Sequence, residues 1–133
     1  MRTYLPLTWI TRTSLAVLVS AIVLIALATT ARAHSFPEEE TPSAGQTLSA
    51  PPTQVLIKFD APIEHLFAKL EVDGPDGKNC AVGDPTFGDD TRTLAVKVGA
   101  LAPGVYTVKW AVVGIDTHHT NGSYVFTVKG SGA

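Results

Sequence analysis

The chain has 133 residues, enough for one domain, and its ten basic and twelve acidic residues nearly balance. The first quarter does not have the composition of a folded domain, and the remainder from residue 34 onward carries seven basic and twelve acidic residues, a net charge of −5. This balance excludes a nucleic-acid-binding surface, which needs clustered Lys and Arg, and it is compatible with a cation as ligand.

Residues 1–33 are predicted to be a cleaved secretory signal. Two arginines precede an apolar run at residues 15–27, which leads to Ala31-Arg32-Ala33, a small-x-small sequence of the kind after which signal peptidases cut. The alternative is a retained membrane anchor, but the run is shorter than the roughly 20 residues that span a bilayer. We therefore expect a mature domain of residues 34–133, periplasmic or otherwise exported, that begins at His34 and has no stable membrane insertion.

Cysteine and methionine usage limits both stability and metal chemistry. Cys80 is the only cysteine, so an internal disulfide is impossible and stability must come from the hydrophobic core. A packed thiol is favoured over a metal-binding thiolate, since free Cys is among the most buried residue types. Met1 is the only methionine. The mature chain therefore lacks the thioether ligands of a Met-rich copper(I) site.

From Gln54 onward, short runs of β-forming residues alternate with Gly, Pro, Asp and Asn, which is the pattern of an all-β domain. Predicted strands cover residues 55–59, 66–72, 94–98, 106–112 and 124–128, and the last two show the clearest alternation. The turn at residues 101–105 followed by Tyr106 resembles the tyrosine corner of Greek-key sandwiches. The sequence therefore favours an all-β, Ig-like Greek-key β-sandwich over a barrel.

The predicted strand directions decide which loops meet. If the tyrosine corner marks one end of the sandwich, the strand after Tyr106 runs to the other end. The loop at residues 114–122 is then expected at that end, together with the loop at residues 60–65 and the start of the first strand. The mature N-terminus is therefore predicted to lie beside Asp116, His118 and His119.

All four histidines, His34, His65, His118 and His119, are predicted to gather at this end near Asp116. At a free N-terminus, His34 offers both its α-amine and its imidazole Nδ1, and the amine has a pKa of about 7.7 to 8.0, low enough for a metal to displace the proton. Asp116 and His118 add one oxygen and one nitrogen. Three nitrogens and one oxygen in a plane suit copper(II) or nickel(II), whereas zinc prefers a tetrahedron and calcium prefers oxygen ligands.

Each of these residues also has an ordinary structural explanation. Asp116 is a common turn residue, and adjacent loop histidines are often simply solvated. His65 and His119 are expected to lie outside the ligand set or to act as outer-shell donors. The run Glu38 to Glu40 is expected to be a solvated charged patch that raises the local cation concentration. The convergence of several donors, rather than any single residue, favours the metal site.

Several stretches resemble the CopC/PcoC family of small exported copper-binding proteins. The specific ones are Ala31-Arg32-Ala33 before His34, residues 101–110, and Asp116-Thr117-His118 followed by residues 121–128, with looser support from residues 41–45 and 57–60. The resemblance implies a sandwich of about seven strands that binds one copper(II) per mature chain through His34, Asp116 and His118. It further implies a non-enzymatic role in copper homeostasis or resistance, either sequestering copper or passing it to a CopD-type inner-membrane protein.

The chain departs from the family pattern at a few positions. Ala61 stands where relatives are often acidic, Phe36 where they often have His or Lys, and His119 where many have Pro. Cys80 is unusual for the family, and the Met-rich copper(I) site of some members is absent from this sequence. None of these differences removes a predicted ligand. Transfer between two copper sites on one molecule is not expected.

The sequence is also compatible with two functions of other classes. A small copper oxygenase also holds its metal with an N-terminal His clamp, but Asp116 as a further equatorial ligand would fill the position that oxygen activation requires. An Ig-like adhesion domain would bind no metal, and its histidines would be incidental. The oxygenase predicts reductant-dependent peroxide production, whereas the adhesion domain predicts no copper(II) binding at low concentration.

Overall fold

The computed structural model describes residues 34–130, together with the helical residues Val17, Val19 and Ser20. The predicted secretory signal at residues 1–33 otherwise lies outside the described residues, and its cleavage stays a prediction. Within the part of the chain that the structure describes, no helix is long and apolar enough to cross a membrane.

Residues 34–130 consist mainly of β-strands and their connections. The elements are β1 (Pro37–Thr41), β2 (Thr47–Leu48), β3 (Gln54–Phe59), a 3-10 helix (His65–Phe67), β4 (Lys69–Asp73), β5 (Ala81–Phe87), β6 (Thr93–Val98), β7 (Gly104–Val113) and β8 (His119–Val128). One sheet has the order β1-β3-β6-β5 and the other β2-β8-β7-β4. All pairings are antiparallel except β2 with β8. The predicted all-β sandwich is confirmed, with seven longer strands and the two-residue β2.

Alternate side chains of the long strands fill the space between the two sheets. Strand β7 buries Tyr106, Val108, Trp110 and Val112 in this way, as its hydrophobic alternation predicts. Phe59 of the first sheet meets Trp110 of the second in an edge-on contact, with ring centroids 5.3 Å apart. Complete burial of a side chain such as Phe59 stabilises the fold by roughly 1.5 to 3 kcal/mol. The core therefore joins the two sheets without a disulfide.

The predicted tyrosine corner is present and marks one end of the sandwich. Tyr106 Oη donates a hydrogen bond of 2.6 Å to the carbonyl oxygen of Ala102, four residues upstream. From this end, β7 runs its full length to Val113, and β8 returns after a short loop. The opposite end of β7 is therefore the end at which the candidate metal ligands lie.

Hydrogen bonds between loops confirm that the predicted segments meet at this end. The amide of Glu64 donates to the carbonyl oxygen of Val113 over 2.7 Å, which joins the segment after β3 to the end of β7. The amide of Asp60 donates to the carbonyl oxygen of Phe36 over 2.9 Å, which joins the same segment to the residues before β1. The start of the predicted mature chain is therefore held beside the loop between β7 and β8.

Three details of the predicted elements are wrong. The strand predicted at residues 66–72 begins at Lys69, because Leu66 and Phe67 lie in the 3-10 helix with 83% and 59% of their surface exposed. The loop predicted at residues 114–122 ends at His118, since residues 119–122 extend β8 through pairing with β7. Strands β1, β2 and β5 escaped prediction because they are edge strands whose mixed, largely exposed side chains carry little hydrophobic alternation.

Candidate metal centre

The loop between β7 and β8 is closed by its own hydrogen bonds. The amide of Gly114 donates to the carbonyl oxygen of His118 over 2.9 Å, and the amide of Thr117 donates to the carbonyl oxygen of Gly114 over 2.9 Å. Thr117 has φ of 71°, the left-handed backbone that this tight reversal requires. Asp116 Oδ1 accepts from the amide of His118 over 3.1 Å. The loop thereby fixes the directions of both predicted ligands that it carries.

Asp116 and His118 are also in contact through their side chains. His118 Nδ1 lies 3.1 Å from Asp116 Oδ2. The hydrogen bond from the His118 amide lowers the pKa of Asp116 below its ordinary value of 3.8, and the nearby imidazoles of His118 and His34 lower it further. The carboxylate is therefore ionised throughout the neutral range, and it places a negative charge where a cation would bind.

His34 reaches this pair from the far end of the sequence. Its ring lies against the ring of His118, with centroids 4.8 Å apart and planes inclined by 50°, and its other neighbour is Phe36 at 6.0 Å. The structure thus brings together the three predicted ligands, His34, Asp116 and His118. The sequence predicted this placement from the tyrosine corner and from the opposite directions of successive strands, and both features are present in β7 and β8.

The donor atoms of these residues can be compared with the ligands that different metals prefer. Two imidazoles and one carboxylate, with the α-amine added once the chain begins at His34, form the nitrogen and oxygen set that copper(II) prefers. Within residues 34–130, however, no three His, Cys, Asp or Glu side chains already form a ready-made metal cage. His118 Nδ1 is instead 3.1 Å from Asp116 Oδ2. The kinds of donor atom present fit copper(II).

The remaining titratable residues at this end have other contacts. The ring of His65 stacks on Phe87, with centroids 3.8 Å apart and planes inclined by 15°. His119 is exposed and opens β8 opposite Val113. Glu38 forms an ion pair of 3.6 Å with Arg92. Neither His65 nor His119 is described in contact with the group formed by His34, Asp116 and His118.

Cys80 lies away from this group. It directly precedes β5, is partly buried and packs against the hydrophobic core. Its Sγ is 3.5 Å from the carbonyl oxygen of Lys78, which accepts a weak hydrogen bond from the thiol. The prediction of a packed thiol is confirmed.

Two residues that support the group were not predicted from the sequence. Gly114 lies directly beneath Asp116, because a Cβ added at Gly114 would be 2.5 Å from Asp116 Oδ1 and 3.1 Å from Ser35 Oγ. Thr120 donates from its hydroxyl to the carbonyl oxygen of Ser35 over 2.7 Å. The glycine at the start of the loop was a visible signal, but a threonine on a strand gives no indication of a partner 85 residues away.

A surface groove lies next to the loop that carries Asp116. The groove, of about 800 Å³, runs between residues 62–66, Thr91 and Ile115, immediately before Asp116 in the chain. Leu66 and Ile115, which line it, expose 83% and 63% of their surface.

Comparison with known proteins agrees with this architecture. The family model described as the CopC domain matches residues 37–129. The chain is 32% identical over 99 residues to Protein YobA of Escherichia coli K12, covering 73% of this chain and 80% of that protein. It is 30% identical over 122 residues to Copper resistance protein C of Escherichia coli, covering 86% and 95% of the two chains.

A longer relative and a solved structure extend the comparison. Copper transport protein CutJ of Bacillus subtilis is 27% identical over 109 residues, which is 80% of this chain but 20% of that protein. The crystal structure of CopC from Methylosinus trichosporium OB3b superposes with a TM-score of 0.67 and 32% identity, covering 72% of this chain and 94% of that one. The family match, the β-sandwich and these relatives agree, and the chain belongs to the CopC family, whose members include copper resistance and copper transport proteins.

Proposed function

We propose that the mature protein is an exported copper(II)-binding protein that acts in copper homeostasis or resistance. It binds one copper(II) per chain through the α-amine and imidazole of His34, the carboxylate of Asp116 and the imidazole of His118. The observation that carries this proposal is the contact of His34 with His118, next to an ionised Asp116. Binding and trafficking, without catalysis, is the role that we assign.

The metal preference follows from the ligands and from the composition. Imidazole, amine and carboxylate donors favour copper(II), which stands at the top of the divalent affinity order. Soft thioether donors would favour copper(I), but the sequence contains no methionine after Met1. Cys80 packs against the core and is not among the proposed ligands. The site is therefore expected to take the oxidised ion.

The proposed partner is a CopD-type inner-membrane protein that receives the copper. Support comes from the relative named as a copper transport protein, in which the part similar to this chain is one fifth of the length. A domain of this kind thus occurs joined to a longer protein whose name refers to transport. Copper would pass to such a partner across the exposed end of the sandwich that carries Asp116.

Electron paramagnetic resonance of the processed protein, starting at His34 and loaded with one equivalent of copper(II), tests the site. We expect a single tetragonal spectrum with nitrogen couplings. His118→Ala should change the couplings and weaken binding, whereas His119→Ala, which removes the adjacent exposed imidazole, should leave both unchanged. Heterogeneous or unbound copper in the wild type would contradict the proposal and return the domain to a metal-free role. Equal effects of the two substitutions would contradict the assignment of His118.

A further inference from the structure

The segment that follows His34 is attached to two other parts of the chain. Thr120 Oγ1 donates to the carbonyl oxygen of Ser35 over 2.7 Å, and Ser35 Oγ donates to the carbonyl oxygen of Pro62 over 3.3 Å. The amide of Phe36 donates to Asp60 Oδ1 over 2.9 Å, and its carbonyl oxygen accepts from the amide of Asp60 over 2.9 Å. Both residues after His34 are therefore fixed on the body of the sandwich.

The burial of this attachment shows how specific it is. Ser35 exposes 1% of its surface and Thr120 exposes 7%, so both partners of the bond are buried. A buried carbonyl or hydroxyl that loses its partner carries its full desolvation penalty. Replacing Thr120 by an apolar residue of the same shape would leave the carbonyl oxygen of Ser35 unpaired. Loss of this bond is therefore expected to loosen the segment after His34 from strand β8.

Its position relates it directly to the proposed ligands. Ser35 follows His34, and Thr120 lies two residues after His118. One buried hydrogen bond thus joins the backbone next to His34 to strand β8, which begins next to His118. Ser35 Oγ also lies close to Gly114, on which Asp116 rests. The attachment fixes His34 relative to the whole loop that carries Asp116 and His118.

We propose that Thr120 is a positioning residue that holds the start of the mature chain so that His34 faces Asp116 and His118 before a metal arrives. This inference rests on the proposed function. A free chain terminus loses its backbone freedom when it becomes a chelate, and that loss opposes binding. Because the fold has already ordered Ser35 and Phe36, less backbone conformational entropy is lost when the metal binds. Thr120 is not one of the proposed ligands and acts through its bond to Ser35.

The test compares Thr120→Val with Thr120→Ser in protein that begins at His34. Valine preserves the shape and removes the hydroxyl, whereas serine keeps the hydroxyl. We expect Thr120→Val to weaken copper(II) binding, measured by competition with a chelator, by roughly 5- to 30-fold, the equivalent of freeing about one backbone residue. Its paramagnetic resonance spectrum should show more than one copper species. Thr120→Ser should keep the wild-type affinity and spectrum.

A control variant separates positioning from general loss of stability. Tyr106→Phe removes a bond of 2.6 Å to the carbonyl oxygen of Ala102, at the end of β7 opposite the proposed ligands. It should lower the unfolding temperature without changing copper affinity. If Thr120→Val binds copper as tightly as Thr120→Ser, or if Tyr106→Phe weakens binding equally, the positioning role is refuted.

A measurement on the metal-free wild type keeps the inference testable even if Thr120→Val does not fold. The Phe36 amide, held by Asp60, should exchange its hydrogen slowly with solvent. Exchange as fast as at a free chain end would overturn the inference, since the segment would then be unfixed before metal binds. Absence of copper binding in the wild type, with Phe36 still protected, would instead overturn the proposed function.

Discussion

The ring centroids of His34 and His118 lie 4.8 Å apart, although the two residues are 84 positions apart in the sequence. The contact arises because β1 begins at the end of the sandwich where β7 turns into β8. His34, before β1, and His118, in the loop between β7 and β8, are therefore close enough to contact the same bound ion.

The dependence on a free N-terminus gives the first prediction. Adding a single Gly before His34 converts its α-amine into an amide, which no longer offers the lone pair of an amine to a metal. Most of the copper(II) affinity should be lost, while the circular dichroism spectrum and unfolding temperature should stay the same. Competition with a copper chelator measures the affinity. Retained affinity in the extended protein would rule out the amine as a ligand.

The close approach at Gly114 gives the second prediction. In Gly114→Ala the new Cβ would be 2.5 Å from Asp116 Oδ1, so the carboxylate must turn away and its bond to the His118 amide is lost. We expect copper(II) affinity to fall about 10- to 100-fold, as for the loss of a group that orients a ligand. Gly99→Ala is the matched control, because the nearest atom to its Cβ, Val82 Cγ2, is 3.8 Å away. Similar affinities in the two variants would contradict this role of Gly114.

The two buried tyrosines should respond oppositely to loss of their hydroxyl groups. Tyr106→Phe removes a bond of 2.6 Å to Ala102 and should lower the free energy of unfolding by about 1 to 2 kcal/mol. Tyr124 Oη is buried without a hydrogen-bond partner among the described groups, and burial together with nearby Glu40 raises its pKa above the ordinary value of 10. Tyr124→Phe should therefore leave stability unchanged or raise it by about 1 kcal/mol. Denaturant unfolding distinguishes the two, and equal destabilisation would contradict the assigned contacts.

The turn between β5 and β6 should make stability depend on pH. The amide of Arg92, which donates to Asp90, lowers the pKa of this carboxyl below 3.8, and the hydroxyl and amide of Thr93 contribute in the same direction. A pKa that is lower in the folded state means that ionised Asp90 stabilises the fold above about pH 4. This stabilisation disappears as the pH falls through the lowered pKa.

Asp90→Asn tests this dependence, since the amide keeps an acceptor oxygen but no charge. The unfolding temperature of the variant should be below that of the wild type at neutral pH, and the difference should vanish in acid, where wild-type Asp90 is protonated. Asp89→Asn removes a neighbouring surface charge and serves as the control. A difference that stays constant from neutral to acid pH would show that the charge of Asp90 plays no part.

The prediction of the fold succeeded where local pattern and tertiary environment agree. Strands β7 and β8 are buried on one face along most of their length, so their alternation of apolar and polar residues was visible. At Leu66 the same kind of alternation misled, because the chain there forms a 3-10 turn outside the core. The edge strand β1 gave no signal, since its Glu-rich segment pairs through the backbone rather than through buried side chains.

Sequence patterns were enough to predict the class of fold, the corner at Tyr106 and the candidate ligands His34, Asp116 and His118, because these depend on periodicity, turn chemistry and the kinds of donor present. The hydrogen bond from Thr120 to Ser35 and the space that Gly114 leaves for Asp116 became visible only in the folded chain. Such contacts join residues far apart in the chain, and their existence depends on the register of paired strands and on distances of a few tenths of an ångström. No local pattern of residues encodes either quantity.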